Sequence, residues 1–191
     1  GGKVSMIFQE PMASFAPAIK IGKQMIEQLL IHRDINKEDA KKISINMLNR
    51  VGIADAEKRF NQYAFELSGG MRQRASLCRA LVHKPEILIL DEPFGALDAF
   101  TREDLWQTMH QLREQEPFTG VLITHDLREA IFLADDVVVL SGRPATMQFK
   151  QTMMETGPRS IDQLYTPRAM ETLNILREQI KIARQNEGTV S

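Results

Sequence analysis

Three short, unbroken apolar runs in the second half of the chain constrain its fold more than any other feature. They lie at residues 87–90, 121–124 and 137–140 and are rich in Val, Ile and Leu. Unbroken hydrophobicity predicts strands that are buried on both faces, as in a parallel sheet. Helical patterns over 101–116 and 127–134 separate the runs, and this alternation is typical of a doubly wound α/β domain. Ligands of such domains bind at the carboxyl ends of the strands.

The first half of the chain is mostly helical in pattern. A strand is predicted over residues 3–8, and Pro11 prevents its continuation because proline cannot donate to a strand ladder. From 22 to 66 the apolar residues fall at helical spacing, with Asn36 as an N-cap and Gly52 as a helix stop. We therefore expect a compact all-helical insert after the first strand.

The last part of the chain carries one long helical pattern. Residues 146–152 are compatible with a short extended segment, and residues 167–185 predict a helix. The apolar face of this helix is expected to consist of Met170, Leu173, Leu176 and Ile180. A helix with one apolar face packs that face on a neighbouring element and leaves its charged face in solvent.

Composition excludes several functional classes. The formal net charge of −1 provides no basic excess of the kind that nucleic-acid binding requires. Cys78 is the single cysteine, so neither an internal disulfide nor a zinc site is predicted. His32, His83 and His110 fall in helical patterns and are expected to face solvent or to bond locally. No apolar run is long enough to cross a bilayer, and residues 1–5 do not resemble a signal peptide, so we expect a cytosolic domain that reaches a membrane only through a partner.

Two acidic residues, Asp91 and Glu92, follow the first of the apolar runs. A carboxylate at the end of a buried strand is costly unless a cation or hydrogen-bond donors compensate it. Mg²⁺ prefers one or two carboxylates together with phosphate oxygens and water, which suits Asp91. Glu92 suits a general base that polarises water for attack on phosphorus. A pair of solvated acids is the alternative, and this motif alone does not decide between the two.

A Ser-Gly-Gly sequence precedes a helical pattern that runs to Leu81. Ser68 is placed to cap this helix, while Gly69 and Gly70 allow a ligand to approach the backbone closely. The free N–H groups and the dipole of such a helix start favour an anion such as phosphate. An ordinary turn before a helix is the alternative.

Three further polar residues are predicted near the same edge of the sheet. His125 follows the run 121–124 and is placed to contact a γ-phosphate or to order the attacking water, although a structural histidine is the alternative. Gln9 ends the first strand, where its amide has reach to a metal or to water. Asp98 lies in the turn after Glu92 and is also a helix N-cap candidate; the two roles are compatible. All these candidate residues lie at strand ends or helix starts, and each of them favours a phosphate or a metal ion. Taken together, they indicate that the site carries out phosphoryl chemistry.

The order of these motifs resembles that of the ATP-binding subunits of ABC transporters, from residue 4 to about 150. Five segments carry the resemblance and take the names of their counterparts in that family: residues 8–10 (Q-loop), 67–74 (signature motif), 87–93 (Walker B), 96–98 (D-loop) and 124–126 (switch-histidine loop).

The resemblance implies ATP and Mg²⁺ as ligands and a role for each residue. Glu92 and His125 would be catalytic, and Asp91 with Gln9 would hold the metal. The ATP-binding set would be Gln9, Ser68, Gly69, Gly70 and Asp98. In that family two subunits pair head to tail, so the signature residues would contact ATP bound mainly to the partner. The helical insert would face transmembrane permease subunits.

The same resemblance implies the fold class and the domain organisation. The fold is expected to be α/β, part of a P-loop NTPase-like parallel sheet flanked by helices, with an all-helical insert subdomain. Four segments are expected: 1–10, a remnant of the ATP-binding core up to the Q-loop; 11–66, the helical subdomain; 67–150, the signature helix and RecA-like α/β core; and 151–191, a largely helical C-terminal extension.

One motif of that family has no counterpart among the 191 residues. No segment fits G-x-x-x-x-G-K-[ST], since Gly1-Gly2-Lys3 is followed by Val4 instead of Ser or Thr. We interpret the chain as N-terminally truncated. We expect that these residues alone neither bind ATP tightly nor hydrolyse it.

The two halves of the chain resemble different importers. Residues 6–12 and 70–74 are similar to oligopeptide and dipeptide importers, whereas residues 91–98 and 140–144 are similar to nitrate, sulfonate and taurine importers. An intermediate lineage and a composite joined near 74–86 both account for this. Both groups are bacterial or archaeal, so the implied function is import of a small solute, energised from the cytoplasmic face of the inner membrane.

Two other functions stay open as alternatives. A non-transport ABC-type ATPase of DNA repair or chromosome maintenance usually has a long coiled coil between Q-loop and signature motif. This chain has only a short insert there, without a heptad run. A non-catalytic docking subunit agrees with the missing phosphate loop but not with the presence of Glu92 and His125.

Overall fold

A computed structural model of the chain describes residues 2–7, 14–142, 144–153 and 160–187. The chain forms two compact units, Gly1–Ile123 and Thr124–Ser191. The elements of the first unit are β1 (Val4–Ile7), α1 (Ile21–His32), α2 (Lys37–Arg50), α3 (Ala56–Phe60), a 3₁₀ turn (Ala64–Glu66), α4 (Gly69–Leu81), β2 (Ile87–Asp91), α5 (Ala99–Gln115) and β3 (Thr119–Ile123).

The three strands of the first unit form a parallel sheet in the order β1-β2-β3. Ile7 lies opposite Leu90 in the first pair, and Asp91 lies opposite Ile123 in the second. Helices α4 and α5 are the crossover segments before β2 and β3, as the pattern of apolar runs predicts. The predicted α/β class, with a parallel sheet flanked by helices, is confirmed.

The two faces of this sheet differ in burial. Ile7, Leu88 and Leu90 point to one face and are at most 4% exposed. The opposite face carries apolar side chains that are 37 to 50% exposed: Val4, Met6, Ile87, Val121 and Ile123. The expectation of strands buried on both faces is therefore wrong for the described residues, which bury only one face. An unbroken apolar run predicts a strand. It does not show which faces of that strand are covered by other parts of the chain.

The helical insert contains α1, α2 and α3, which pack on one another. The predicted N-cap is confirmed, because the Asn36 side chain accepts a hydrogen bond of 2.9 Å from the Asp39 backbone N–H. The predicted stop is confirmed as well. Gly52 has a φ of +76°, and the backbone N–H of Ile53 donates to the Leu48 carbonyl at 3.0 Å. This pattern is a Schellman motif, which needs a left-handed residue after the helix.

The second unit contains α6 (Leu127–Leu133), β4 (Asp136–Ser141), β5 (Thr146–Thr152), a 3₁₀ helix (Ile161–Tyr165) and α7 (Pro167–Glu187). The expectation that the third apolar run continues the parallel sheet is wrong in the described chain, since β4 pairs with β5 in an antiparallel hairpin. Helix α7 packs on β4. Val137 and Val139 are buried and Val138 and Leu140 exposed, because the hairpin has only one covered face.

The apolar face of α7 differs partly from the predicted one. Leu173 and Leu176 are buried as predicted, whereas Met170 is 44% exposed. Ala169 and Ala183 join the buried face instead. Ile180 is half-buried. The buried face therefore agrees with the predicted one at Leu173 and Leu176 and differs from it at Met170. No helix in the described residues is both long enough and apolar enough to cross a membrane.

Candidate functional site

The carboxyl end of β2 holds Glu92 in an unusual backbone conformation. Its φ is +44°, in the left-handed region that disfavours residues with a side chain. Its backbone N–H donates to the Ile123 carbonyl at 2.9 Å, which ties this turn to the end of β3. A non-glycine residue in this region costs about 1–3 kcal/mol, and such residues cluster at active sites. Asp91, the last residue of β2, is half-buried beside it.

The loop after Glu92 is closed by short-range backbone hydrogen bonds. The N–H of Gly95 donates to the Glu92 carbonyl at 3.3 Å, and the N–H of Leu97 donates to the Phe94 carbonyl at 3.1 Å. Phe94 is fully buried and anchors the loop. A Cβ added at Gly95 would lie 3.9 Å from Glu92 Oε2. The carboxylate of Glu92 thus lies against a backbone segment that has no side chain of its own.

The start of α4 has the geometry expected of an anion site. Ser68 is the N-cap, and its Oγ accepts a hydrogen bond of 3.4 Å from the Met71 backbone N–H. Nothing lies within 4 Å of a Cβ added at Gly69, so the backbone there is open to a ligand. A Cβ at Gly70 would instead meet Thr101 Cγ2 at 2.7 Å. The glycine at position 70 therefore has a packing reason that sequence reasoning did not supply.

Asp98 is the N-cap of α5, as predicted. Its carboxylate accepts hydrogen bonds from the backbone N–H of Thr101 at 3.0 Å and from the Thr101 hydroxyl at 2.7 Å. These hydrogen bonds lower the pKa of Asp98. Thr101 thus contacts both Asp98 and the position of Gly70, so it joins the D-loop-like turn to the start of the signature helix. The sequence signal for Thr101 was an Asp-x-x-Thr spacing, which is typical of helix N-termini.

Gln73 connects the signature helix to the loop that carries Glu92. It is 1% exposed, and its side-chain Nε2 donates a short hydrogen bond to the Pro93 carbonyl. Sequence reasoning missed this contact, because a glutamine within a helical pattern is ordinarily read as solvated. The only available signal was its position on the apolar side of α4, with Ala80 and Leu77.

Arg74, the next residue of α4, connects the helical insert to α5. Its Nη1 donates to the Val51 carbonyl at 2.5 Å and to Thr108 Oγ1 at 3.4 Å. A Cβ at Gly52 would lie 3.0 Å from the same Nη1. The end of α2, the middle of α4 and the face of α5 therefore meet at this one guanidinium.

His125 lies in the second unit, in a turn that local hydrogen bonds hold in place. The Thr124 hydroxyl donates to the Glu129 carboxylate, and Thr124 Oγ1 accepts from the Asp126 N–H at 3.0 Å. Asp126 caps α6 by accepting from the Arg128 N–H at 3.0 Å. The His125 side chain is exposed. Its predicted meeting with Asp91 and Glu92 stays a prediction.

Gln9, with the rest of the Q-loop-like segment 8–10, lies outside the described residues, as does Arg143. Among the residues that are described, no group of three or more His, Cys, Asp and Glu side chains could hold a metal ion by itself. Asp91 at the end of β2 nevertheless fits Mg²⁺, which needs only one or two carboxylates when phosphate oxygens and water complete its shell. Ser68 and Gly69 fit a phosphate group, since the cap leaves the helix start open.

The chain resembles known proteins in sequence along most of its length. The model of the ABC transporter family matches residues 1–95. The oligopeptide transport ATP-binding protein OppD of Bacillus subtilis is 40% identical over 177 residues, which are 92% of this chain and 47% of that protein. The dipeptide transport ATP-binding protein DppD of Lactococcus lactis is 45% identical over 141 residues, 73% of this chain and 40% of the relative. The chain thus spans about half the length of these curated relatives.

Solved structures resemble the chain in fold. A dimeric post-hydrolysis state of the ATP-binding cassette MJ0796, bound to ADP and Pi, superposes with a TM-score of 0.67 and 25% identity over 79% of this chain and 63% of that one. A second dimeric structure of MJ0796, a bacterial ABC transporter cassette, gives a TM-score of 0.61 and 28% identity. The match covers 71% of this chain and 57% of that one. With the strand-end acids and the capped Ser-Gly-Gly helix in place, these similarities show that the chain belongs to the ATP-binding domains of ABC transporters.

Proposed function

We propose that this chain is part of an ATP-hydrolysing subunit that energises a bacterial importer of peptides. One observation carries the proposal: a continuous set of contacts joins the signature-helix start, the Asp98 turn and the loop of Glu92. Thr101 makes the first connection, between Gly70 and Asp98, and Gln73 makes the second, to Pro93. A change at the signature helix is therefore transmitted directly to the residue proposed as the general base.

The strained backbone of Glu92 supports its catalytic assignment. The hydrogen bond from its backbone N–H to the end of β3 fixes the backbone of Glu92 at a strand terminus, and its carboxylate acts there as a general base on the attacking water. Asp91 holds Mg²⁺ together with Gln9, and His125 orders the water or contacts the γ-phosphate. Ser68, Gly69, Gly70 and Asp98 complete the ATP site.

The proposed partners follow from the family. A second ATPase subunit pairs head to tail with this one, and the dimeric state of the similar MJ0796 structures supports this pairing. The helical subdomain 11–66 faces transmembrane permease subunits at the cytoplasmic face of the inner membrane. Peptide is the favoured cargo, because the relatives named for peptide transport match both halves of the chain. The resemblance of residues 91–98 and 140–144 to nitrate, sulfonate and taurine importers stays a prediction.

The test uses the full-length protein assembled with its permease partners in liposomes. Glu92→Gln should lower kcat for ATP hydrolysis at least about 100-fold, because the general base is lost, while ATP binding is retained. Glu171→Gln, an exposed position on α7, is the matched control and should leave kcat unchanged. Equal activity of the Glu92 variant and the control would refute the assignment.

Three further outcomes separate the alternatives. Peptide-stimulated hydrolysis in the liposomes supports the importer, whereas stimulation by DNA supports the repair class, and a wild-type assembly that forms without hydrolysing ATP supports a docking subunit. The 191 residues alone should show no hydrolysis above background, because no segment of them matches G-x-x-x-x-G-K-[ST]. Activity of these residues that Glu92→Gln abolishes would contradict that expectation.

A further inference from the structure

A cavity lies within the first unit, and its described lining shares no residue with Ser68, Gly69, Gly70 and Asp98 of the proposed ATP site. Its volume is about 260 Å³, and it is bordered by β1, α1 and α4. Its polar lining consists of Ser5, Ser14, Gln28, His32, Ser76, Arg79 and His83. Since one water occupies about 30 Å³ of liquid, the cavity has room for a small ion and part of its hydration shell.

Four residues that border the cavity each have a buried polar atom that lacks a hydrogen-bond partner within the described part of the chain. These atoms are Ser14 Oγ, Ser76 Oγ, Arg79 Nε and His83 Nδ1. Ser76 is 2% and His83 8% exposed. Leaving a buried polar atom unsatisfied costs about 1–3 kcal/mol, so four of them at one cavity indicate a bound polar species.

The sequence did not predict this arrangement. His83 was expected to face solvent or to bond locally, and that expectation is wrong. Its Nε2 lies 3.1 Å from the hydroxyl of Ser5, a residue 78 positions away. Its ring centroid lies 4.7 Å from that of His32. Helix α4, helix α1 and strand β1 thus each bring a polar group to the same cavity.

The charges at the cavity favour an anion. Among the described residues that line the cavity there are one guanidinium and two imidazoles but no carboxylate. Burial lowers the pKa of Arg79, and Glu27 on α1 partly opposes that effect. Burial and the neighbouring His32 lower the pKa of His83. Positive charge is therefore costly here when no anion is present, and an anion would remove that cost.

We propose that this cavity binds a small oxyanion, such as inorganic phosphate. Arg79 Nε–H, the Nδ1–H of His83 and the hydroxyls of Ser14 and Ser76 donate to it, and the ring of His32 borders the same cavity. Guanidinium and imidazolium donors form short, strong hydrogen bonds to such anions. Because Ser76 and Arg79 lie on α4 and His32 lies on α1, the bound anion would link the signature helix to the helical insert.

The experiment measures the imidazole resonances of His32 and His83 by ¹H–¹⁵N NMR in the full-length protein during a phosphate titration. Chloride at equal ionic strength serves as the control. Phosphate should raise the pH at which His83 titrates, because the anion stabilises the charged ring, while His110 stays unchanged. Arg79→Gln should weaken phosphate binding about tenfold, the loss of one charge-assisted hydrogen bond, and Arg177→Gln, an exposed position on α7, should not.

Ser76→Ala is a second variant with little risk to folding, and it should weaken phosphate binding by a smaller factor than Arg79→Gln. Three outcomes would overturn the proposal. The first is that the resonances of His32 and His83 do not change with phosphate. The second is that they respond equally to chloride, and the third is that they respond to a titration with Zn²⁺ but not to phosphate.

Discussion

Replacement of Gln73 by leucine should detach the signature helix from the loop that carries Glu92. In the native chain Gln73 Nε2 donates to the Pro93 carbonyl in a buried setting. Leucine has a similar volume, so the packing of α4 is largely retained. In the Gln73→Leu variant the Pro93 carbonyl loses this donor. It remains buried, because Pro93 is itself buried.

The magnitude follows from that loss. An unsatisfied buried acceptor costs about 1–3 kcal/mol, whereas replacing an exposed glutamine changes the free energy of unfolding by less than about 0.5 kcal/mol. With a urea m-value of about 1–3 kcal/mol per molar for a small domain, a loss of about 2 kcal/mol lowers the midpoint by roughly 1 M.

The assay is urea unfolding followed by tryptophan fluorescence. Trp106 is the only tryptophan in the 191 residues and is fully buried on α5, in the same unit as Gln73. Gln111→Leu, at an exposed position of α5, is the matched control. An unchanged midpoint for Gln73→Leu, or an equal decrease for Gln111→Leu, would refute the proposed connection.

Three other predictions follow from described contacts. Gly70→Ala should lower the urea midpoint, since its Cβ would meet Thr101 Cγ2 at 2.7 Å, whereas Gly69→Ala, with nothing within 4 Å, should not. Burial opposes ionisation of Glu116, but hydrogen bonds from Arg50 and Lys84 outweigh it and lower the pKa of Glu116. The Glu116 carboxylate therefore adds to the free energy of unfolding above about pH 4.3, the ordinary glutamate pKa, and this contribution is lost as pH falls through the lowered pKa. The stability difference between wild type and Glu116→Gln, measured by urea unfolding, should therefore shrink in acid. Burial raises the pKa of the Cys78 thiol, so Cys78 should react with a thiol reagent at pH 8 only after urea unfolds the chain; rapid reaction of the folded chain would contradict this.

Local chemistry was readable from the sequence wherever the interacting groups lie within a few residues of one another. The N-caps Asn36, Ser68 and Asp98 each bond the backbone three residues ahead, as predicted. The glycine at position 52 ends α2 because the turn there requires positive φ. Such features depend only on neighbouring residues, so the order of residue types is sufficient to predict them.

Contacts between distant segments were not readable in this way. Gln73 bonds a carbonyl 20 residues away, and His83 bonds a serine 78 residues away. The third apolar run was predicted to extend a parallel sheet, yet β4 pairs with β5 in the described chain. A glutamine or a histidine in a helix has the same local pattern whether its side chain is solvated or buried.

The sequence by itself determined the class of fold, the family and the positions of the strand-end acids and of the capped glycine pair. Only the tertiary structure decided that Thr101 and Gln73 connect these motifs, that the described residues bury one face of the sheet and that a polar cavity forms beside β1. The physical reason is that hydrophobic pattern and capping act along the chain, while burial and polar satisfaction depend on which segments meet in space.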